Sequence, residues 1–202
     1  MKKITYTKIK NIALLLATFT LVLTTTFSCS SDDDKDDIIN KEPEHEHDEI
    51  TKIILQFIDK TDTSIVHEFA YEAPEGTTVL PITDVNLPAG TYDVEISFYS
   101  PHNDHFHNVT DDIFIDDADD HFVFYHKVNA SGLDIVYADD DKVDTSGNKL
   151  GHRTIWTLSS GGKATVYIYL LHQPAQKDTN AISTSQLGGE IDLEAHFSLE
   201  AE

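Results

Sequence analysis

The sequence predicts an all-β protein: an antiparallel β-sandwich of the Ig-like or jelly-roll-like kind with one short helix, and a small β-barrel as the alternative. The first observation is the period of two in segments such as TYDVEISFY (91–99), which is typical of a half-buried strand. The second is the turn chemistry between such segments, for example Pro-Glu-Gly at 74–76 and Leu-Pro-Ala-Gly at 87–90. The third is the number of such segments, about eight in roughly 150 residues.

Each predicted strand has an apolar face of alternate residues, as in ITKIILQFI, where Ile53, Leu55 and Phe57 share one side. The predicted strands are 50–58, 64–71, 91–99, 121–128, 133–137, 153–158, 163–172 and 190–199. A helix is predicted only over 110–120. Thr110 is a suitable N-cap there, and aspartates follow it near the positive end of the helix dipole.

The first 28 residues have the pattern of an export signal. Lysines precede a nearly uncharged stretch over 12–27, which contains ALLLATFTLVL and is too interrupted by threonines to predict a membrane-spanning helix. The stretch ends at Ser28 and Cys29 and resembles the lipobox of bacterial lipoproteins, although Thr26 stands where leucine is usual. The resemblance implies lipidation of Cys29, the only cysteine of the chain.

An acidic segment follows the cysteine and is poor in apolar residues, so residues 29–48 are predicted to be a disordered tether and residues 49–202 the folded domain. The run SDDDKDD resembles the signal that sends Bacteroidetes lipoproteins to the outer membrane and its outer face. The chain has 36 acidic and 14 basic residues and a formal charge of −22, which argues against nucleic acid as a partner.

Four stretches in the second half carry a family resemblance: NVTDDIFIDDADDHFVFY, LDIVYADDD with the later GNKLG, YLLHQP, and LGGEIDLEAHFSL. In this order they resemble uncharacterised acidic lipoproteins of flavobacteria and other Bacteroidetes, over roughly 48–199. The resemblance implies an envelope lipoprotein without catalytic residues, and its shared histidines match His121 and His172. This chain departs from the pattern through additional histidines at 102, 105 and 107.

Histidines cluster in one part of the sequence, since five of the eleven lie within 102–126. In an extended segment His105 and His107 project to the same side, and histidines with carboxylates are ligands that zinc accepts. The predicted metal ligands are His105, His107, His121 and His172, with His102 and His126 in reserve and Asp104 or Asp120 as carboxylates.

Other interpretations of these residues stay open. His105 and His107 are also typical of a solvated loop, and a half-buried histidine such as His121 or His172 is often structural. Calcium is a weaker alternative, based on the aspartate-rich segment 139–148. That segment lacks the EF-hand spacing, and a turn between strands is the better interpretation of it.

The sequence lacks the motifs of common enzyme classes, so we predict a protein that is not an enzyme. The leading hypothesis is an outer-membrane or surface lipoprotein that binds a divalent metal, with zinc expected, and serves an outer-membrane receptor or transporter. The alternative is an adhesion or assembly module that binds protein or glycan without a metal. Trp156, Tyr167 and Tyr169 are candidates for a sugar platform, although their alternation also fits packing.

Overall fold

The computed structural model describes residues 49–73 and 79–202, and most of them lie in strands. The prediction of an all-β protein with one short helix is confirmed. The strands are β1 (Lys52–Asp59), β2 (Val66–Glu72), β3 (Ile82–Leu87), β4 (Gly90–His102), β5 (His105–Asn108), β6 (His121–Tyr137), β7 (Arg153–His172) and β8 (Glu190–Ala201).

All eight strands belong to one sheet, with the order β2-β1-β4-β7-β8-β3 and with β5 paired to β4 and β6 paired to β7. The end strands β2 and β3 approach each other, and the Thr83 hydroxyl donates a hydrogen bond to the Ala70 carbonyl across the gap (3.3 Å). The sheet is therefore nearly closed, as in the predicted alternative of a small barrel. The β3–β8 pair is parallel, whereas every other strand pair of the described residues is antiparallel.

The long strand β7, with β6 beside it, connects the β2-β1-β4 part of the sheet to the β8-β3 part. The first half of β7 pairs with β4 and its second half with β8, while β6 accompanies β7 on the other side. The β6–β7 register shifts between Val128 and Leu133. Gly132 lies at this irregularity with φ +73°, and a Cβ atom there would lie 3.1 Å from the Gly162 Cα. Each long strand was predicted as two shorter ones, because this glycine-containing stretch has the composition of a turn.

The core forms on the predicted apolar faces. Tyr92, Val94, Ile96 and Phe98 of β4 are buried, whereas the residues between them are only partly buried. Trp156 of β7 is fully buried, so this residue does not belong to an exposed platform.

The helical elements are shorter than predicted. In place of a helix over 110–120, a single π-helical turn spans Asp112–Asp116. The predicted N-cap Thr110 has a different partner: its hydroxyl accepts a hydrogen bond from the Phe98 backbone N–H (3.0 Å), and this bond holds the turn against β4. A second short helix, α1 (Thr184–Leu187), was not predicted.

Several predictions concern residues outside the described part of the chain. They are the export signal over 1–28, lipidation of Cys29 and the tether over 29–48. Within the described ranges, no helix has the length and apolar character needed to cross a membrane.

Candidate functional site

The first group of predicted ligands lies on the exposed hairpin of β4 and β5. His102 and His105 are opposite each other in this hairpin, with ring centroids 5.4 Å apart. The Nδ1 atom of His105 lies 3.4 Å from an oxygen of Asp104, whose side chain is fully solvated. His107 pairs with Ser100 further from the hairpin tip. These residues therefore form a solvated histidine pair with one adjacent carboxylate.

The second group lies where β6 begins and β7 ends. The strand register places His121 opposite His172, and their rings stack with centroids 5.1 Å apart and planes 12° apart. Asp192 of β8 faces both: its oxygens lie 3.5 Å from Nε2 of His121 and 3.9 Å from Nδ1 of His172. The sequence predicted the two histidines but not this carboxylate. We call these three residues the histidine pair site.

The histidine pair site is held on its buried side by His121, whose side chain is 1% exposed. The Nδ1 atom of His121 lies 3.1 Å from the Asp117 carbonyl oxygen, and because a carbonyl only accepts, Nδ1 carries the proton. Two nearly parallel rings direct their nitrogen lone pairs within separate planes. A shared metal ion requires convergent lone pairs, so one ring would have to rotate to bind it.

The two remaining predicted residues, His126 and Asp120, have other contacts. The ring of His126 contacts Phe124 and Tyr167, and Asp120 contributes its backbone carbonyl to a hydrogen bond from the Gln173 N–H (2.7 Å). Over residues 49–73 and 79–202, no group of three or more His, Cys, Asp or Glu side chains has an arrangement that could hold a metal ion. The predicted ligands thus meet as pairs rather than as one site.

A band of rings crosses neighbouring strands on the sheet face opposite Trp156. The register of β6 and β7 places Phe124 beside Tyr169 and His126 beside Tyr167. On the other side of β7, His196 of β8 lies opposite Tyr167. The Tyr167 and His196 rings stack with centroids 4.1 Å apart, and His126 meets Tyr167 edge to face at 6.1 Å. We call these five residues the aromatic stripe. Four of them are partly exposed, and only Phe124 is buried.

Glu194 adds hydrogen-bonding capacity to the aromatic stripe. One of its carboxylate oxygens lies 2.7 Å from Nε2 of His196, and its charge also acts on the Tyr169 hydroxyl. Burial, followed by the neighbouring charge of Glu194, raises the pKa of Tyr169 to about 12, so this hydroxyl keeps its proton at neutral pH. Aromatic and imidazole rings, one tyrosine hydroxyl and one carboxylate thus occupy adjacent positions on the sheet, and Tyr167 and His196 stack on each other.

A polar cleft of about 620 Å³ lies beside β4, and sequence analysis did not single it out. Its walls include Glu95, Asn108, Asp111, Lys142 and His152. We call it the His152 cleft. It therefore combines two carboxylates, an amide, an ammonium and an imidazole around one space.

His152 forms the buried wall of the cleft and is 8% exposed. Its ring packs on Phe114 with centroids 4.7 Å apart, and its Nε2 atom lies 3.4 Å from a Glu95 oxygen. Its Nδ1 atom is buried with no hydrogen-bond partner among the described residues. Burial lowers the pKa of His152, although the charges of Glu95 and Asp141 act in the opposite direction.

This lowered pKa predicts acid sensitivity. As the pH falls through about 6.5 the unfolded chain binds a proton at residue 152 before the folded protein does, so the free energy of unfolding decreases by at most about 1.4 kcal/mol per pH unit. Urea denaturation at pH 7 and pH 5 measures this loss. We expect a smaller loss in His152→Gln, whereas the exposed control His107→Gln should behave as the wild type. Equal losses in all three proteins would contradict the assignment.

The aspartate-rich segment 139–148 forms a turn that its own carboxylates stabilise. Asp141 accepts hydrogen bonds from the Gly151 and Arg153 backbone amides (2.7 and 2.8 Å). Asp144 accepts bonds from the backbone amides of Ser146 and Asn148 and pairs with Lys177. These contacts agree with a turn between β6 and β7, the interpretation preferred over a calcium loop.

The residues that sequence analysis missed share one property: they come from distant segments. Glu95 and His152 are 57 positions apart, and so gave no local spacing pattern. Phe124 and His196 join the aromatic stripe only through strand register, and Glu194 comes to lie beside it in the same way. No family model, no curated protein and no solved structure matches this chain.

Proposed function

We propose that this chain is an exported, lipid-anchored, non-catalytic module of the outer membrane that binds a neutral glycan on its aromatic stripe. The observation that carries the proposal is the adjacency of Tyr167, Tyr169, His196 and Glu194 on one sheet face. Pyranose rings have apolar faces that pack on aromatic rings, and their hydroxyls bond carboxylates and imidazoles. A ligand recognised in this way needs no catalytic group.

Charge favours a neutral ligand over an acidic one. The chain has a formal charge of −22, and Glu194 lies directly beside the aromatic stripe, so an anionic polysaccharide would be repelled. Export and anchoring rest on the sequence patterns of residues 1–28 and Cys29. A surface location would expose the stripe to extracellular glycans.

Affinity electrophoresis in gels that contain a neutral β-glucan, a galactomannan, starch or xylan tests the proposal. We expect at least one of these polysaccharides to retard the wild-type protein. Tyr167→Ala should weaken the retardation by about tenfold, because one ring contact contributes about 1 kcal/mol or slightly more. Tyr99→Ala, on β4 outside the stripe, is the matched control, and thermal melting checks that both variants fold. No retardation by any of the four, or equal effects of the two variants, would overturn the proposal.

Divalent metal binding is the second candidate function, with zinc as the expected ion. The observation that favours it is the histidine pair site, where Asp192 lies within 4 Å of both imidazoles and rotation of one ring would let both bind a shared ion. His121 holds its Nδ1 proton on a backbone carbonyl, which leaves Nε2 as the nitrogen that can bind an ion. Titration calorimetry with zinc tests this candidate: the wild-type protein should bind zinc at neutral pH and His172→Ala should bind it more weakly, and unchanged binding in His172→Ala would remove this site. Passage of the ion to an outer-membrane transporter remains part of this second proposal.

A further inference from the structure

The His152 cleft has an unusual balance of charge for so acidic a protein. Glu95 and Asp111 supply two carboxylates, and Lys142 supplies an ammonium on the same lining. Among the described residues, neither Asp111 nor Lys142 has an ion-pair partner, whereas Lys149 and Lys177 are both paired. Two charges of opposite sign are thus available to a ligand that enters the cleft.

His152 gives an independent indication that a ligand group belongs there. A carboxylate only accepts hydrogen bonds, so the Nε2 atom that faces Glu95 carries the ring proton. The other nitrogen, Nδ1, is then an acceptor, and it is buried without a hydrogen-bond partner in the described part of the chain. Buried polar atoms in native proteins are nearly always satisfied, so this nitrogen is an exception that an ordered water, an ion or a bound group would explain.

We propose that the His152 cleft binds a short peptide as a zwitterion, through its charged amino and carboxyl ends. The ammonium of such a ligand would pair with Glu95 and Asp111 beside His152, and its carboxylate would pair with Lys142. A volume of about 620 Å³ is that of a small-molecule site. A ligand with only one of the two charges would leave part of this set unused.

Glycylglycine is a suitable probe because each of its charges can be removed separately. Titration followed by ¹H–¹⁵N correlation spectra should give saturable shifts at residues around the cleft. N-acetyl-glycylglycine lacks the ammonium and glycylglycinamide lacks the carboxylate, and we expect each to bind at least about tenfold more weakly. Absence of saturable shifts at millimolar glycylglycine, or equal binding of the three compounds, would overturn the proposal.

Variants then test the assigned residues. Lys142→Met and Asp111→Asn should each weaken glycylglycine binding by about tenfold or more. Lys163→Met removes a lysine that pairs with Glu200 on β8, and it should leave the affinity unchanged. Tyr167→Ala should also leave it unchanged, which separates this site from the glycan surface. Full affinity in both Lys142→Met and Asp111→Asn would refute the assignment.

Discussion

Replacement of Lys177 by methionine is expected to lower the free energy of unfolding by about 3–5 kcal/mol. The Lys177 ammonium lies 3.2 Å from an Asp144 oxygen and donates to the Ala118 carbonyl at 2.7 Å. The side chain of Lys177 is 5% exposed and that of Asp144 is 6% exposed. Methionine keeps the length of the side chain but leaves the Asp144 carboxylate buried without its counter-charge, and that uncompensated charge is the main cost.

The contact matters because it joins three separate segments. Lys177 follows β7, Asp144 belongs to the turn between β6 and β7, and Ala118 precedes β6. The matched control is Lys163→Met, because the Lys163–Glu200 pair is largely solvent-exposed and should contribute about 1 kcal/mol or less. Urea denaturation measures the free energy of unfolding of both lysine variants. Addition of Asp144→Asn to Lys177→Met should recover part of the loss, and equal stabilities of the two lysine variants would contradict the prediction.

The fold was predictable wherever burial has a period of two along one segment. In β4 alternate side chains from Tyr92 to Phe98 face the core, and the sequence predicted this strand. β3 was missed because Ile82 is exposed and only Val85 and Leu87 are buried, which is too short a pattern to detect. Its parallel partner β8 lies more than 100 positions away, and no local signal encodes that pairing.

The candidate sites were less predictable than the fold, since they depend on strand register. His121 and His172 were predicted as ligands, and register does place them opposite each other. The same register stacks their rings in parallel, which composition cannot reveal. Asp192 reaches them only because β8 pairs with the end of β7, where His172 lies opposite Glu190. His152 owes its burial to packing on Phe114, a contact across 38 positions.

Replacement of Trp156 by alanine is expected to lower the free energy of unfolding by about 3–5 kcal/mol. The indole is fully buried and meets Phe57 of β1 and Tyr125 of β6 edge to face, with ring centroids 5.2 and 5.9 Å away. Its Nε1 atom also donates to the Thr154 hydroxyl at 2.8 Å. Alanine would therefore leave a cavity between strands that are not neighbours in the sheet.

Chemical denaturation of three variants separates this packing effect from other causes. Trp156→Phe keeps a ring in the core but loses the indole hydrogen bond, so we expect a smaller loss than with alanine. Val136→Ala changes an exposed residue of β6 and should alter stability by about 0.5 kcal/mol or less. If Trp156→Ala were as stable as Val136→Ala, the indole would not be what holds β1 and β6 together. The hydrogen-bonded strands β4 and β7, which lie between β1 and β6 in the sheet, would then account for how β1 and β6 are held together.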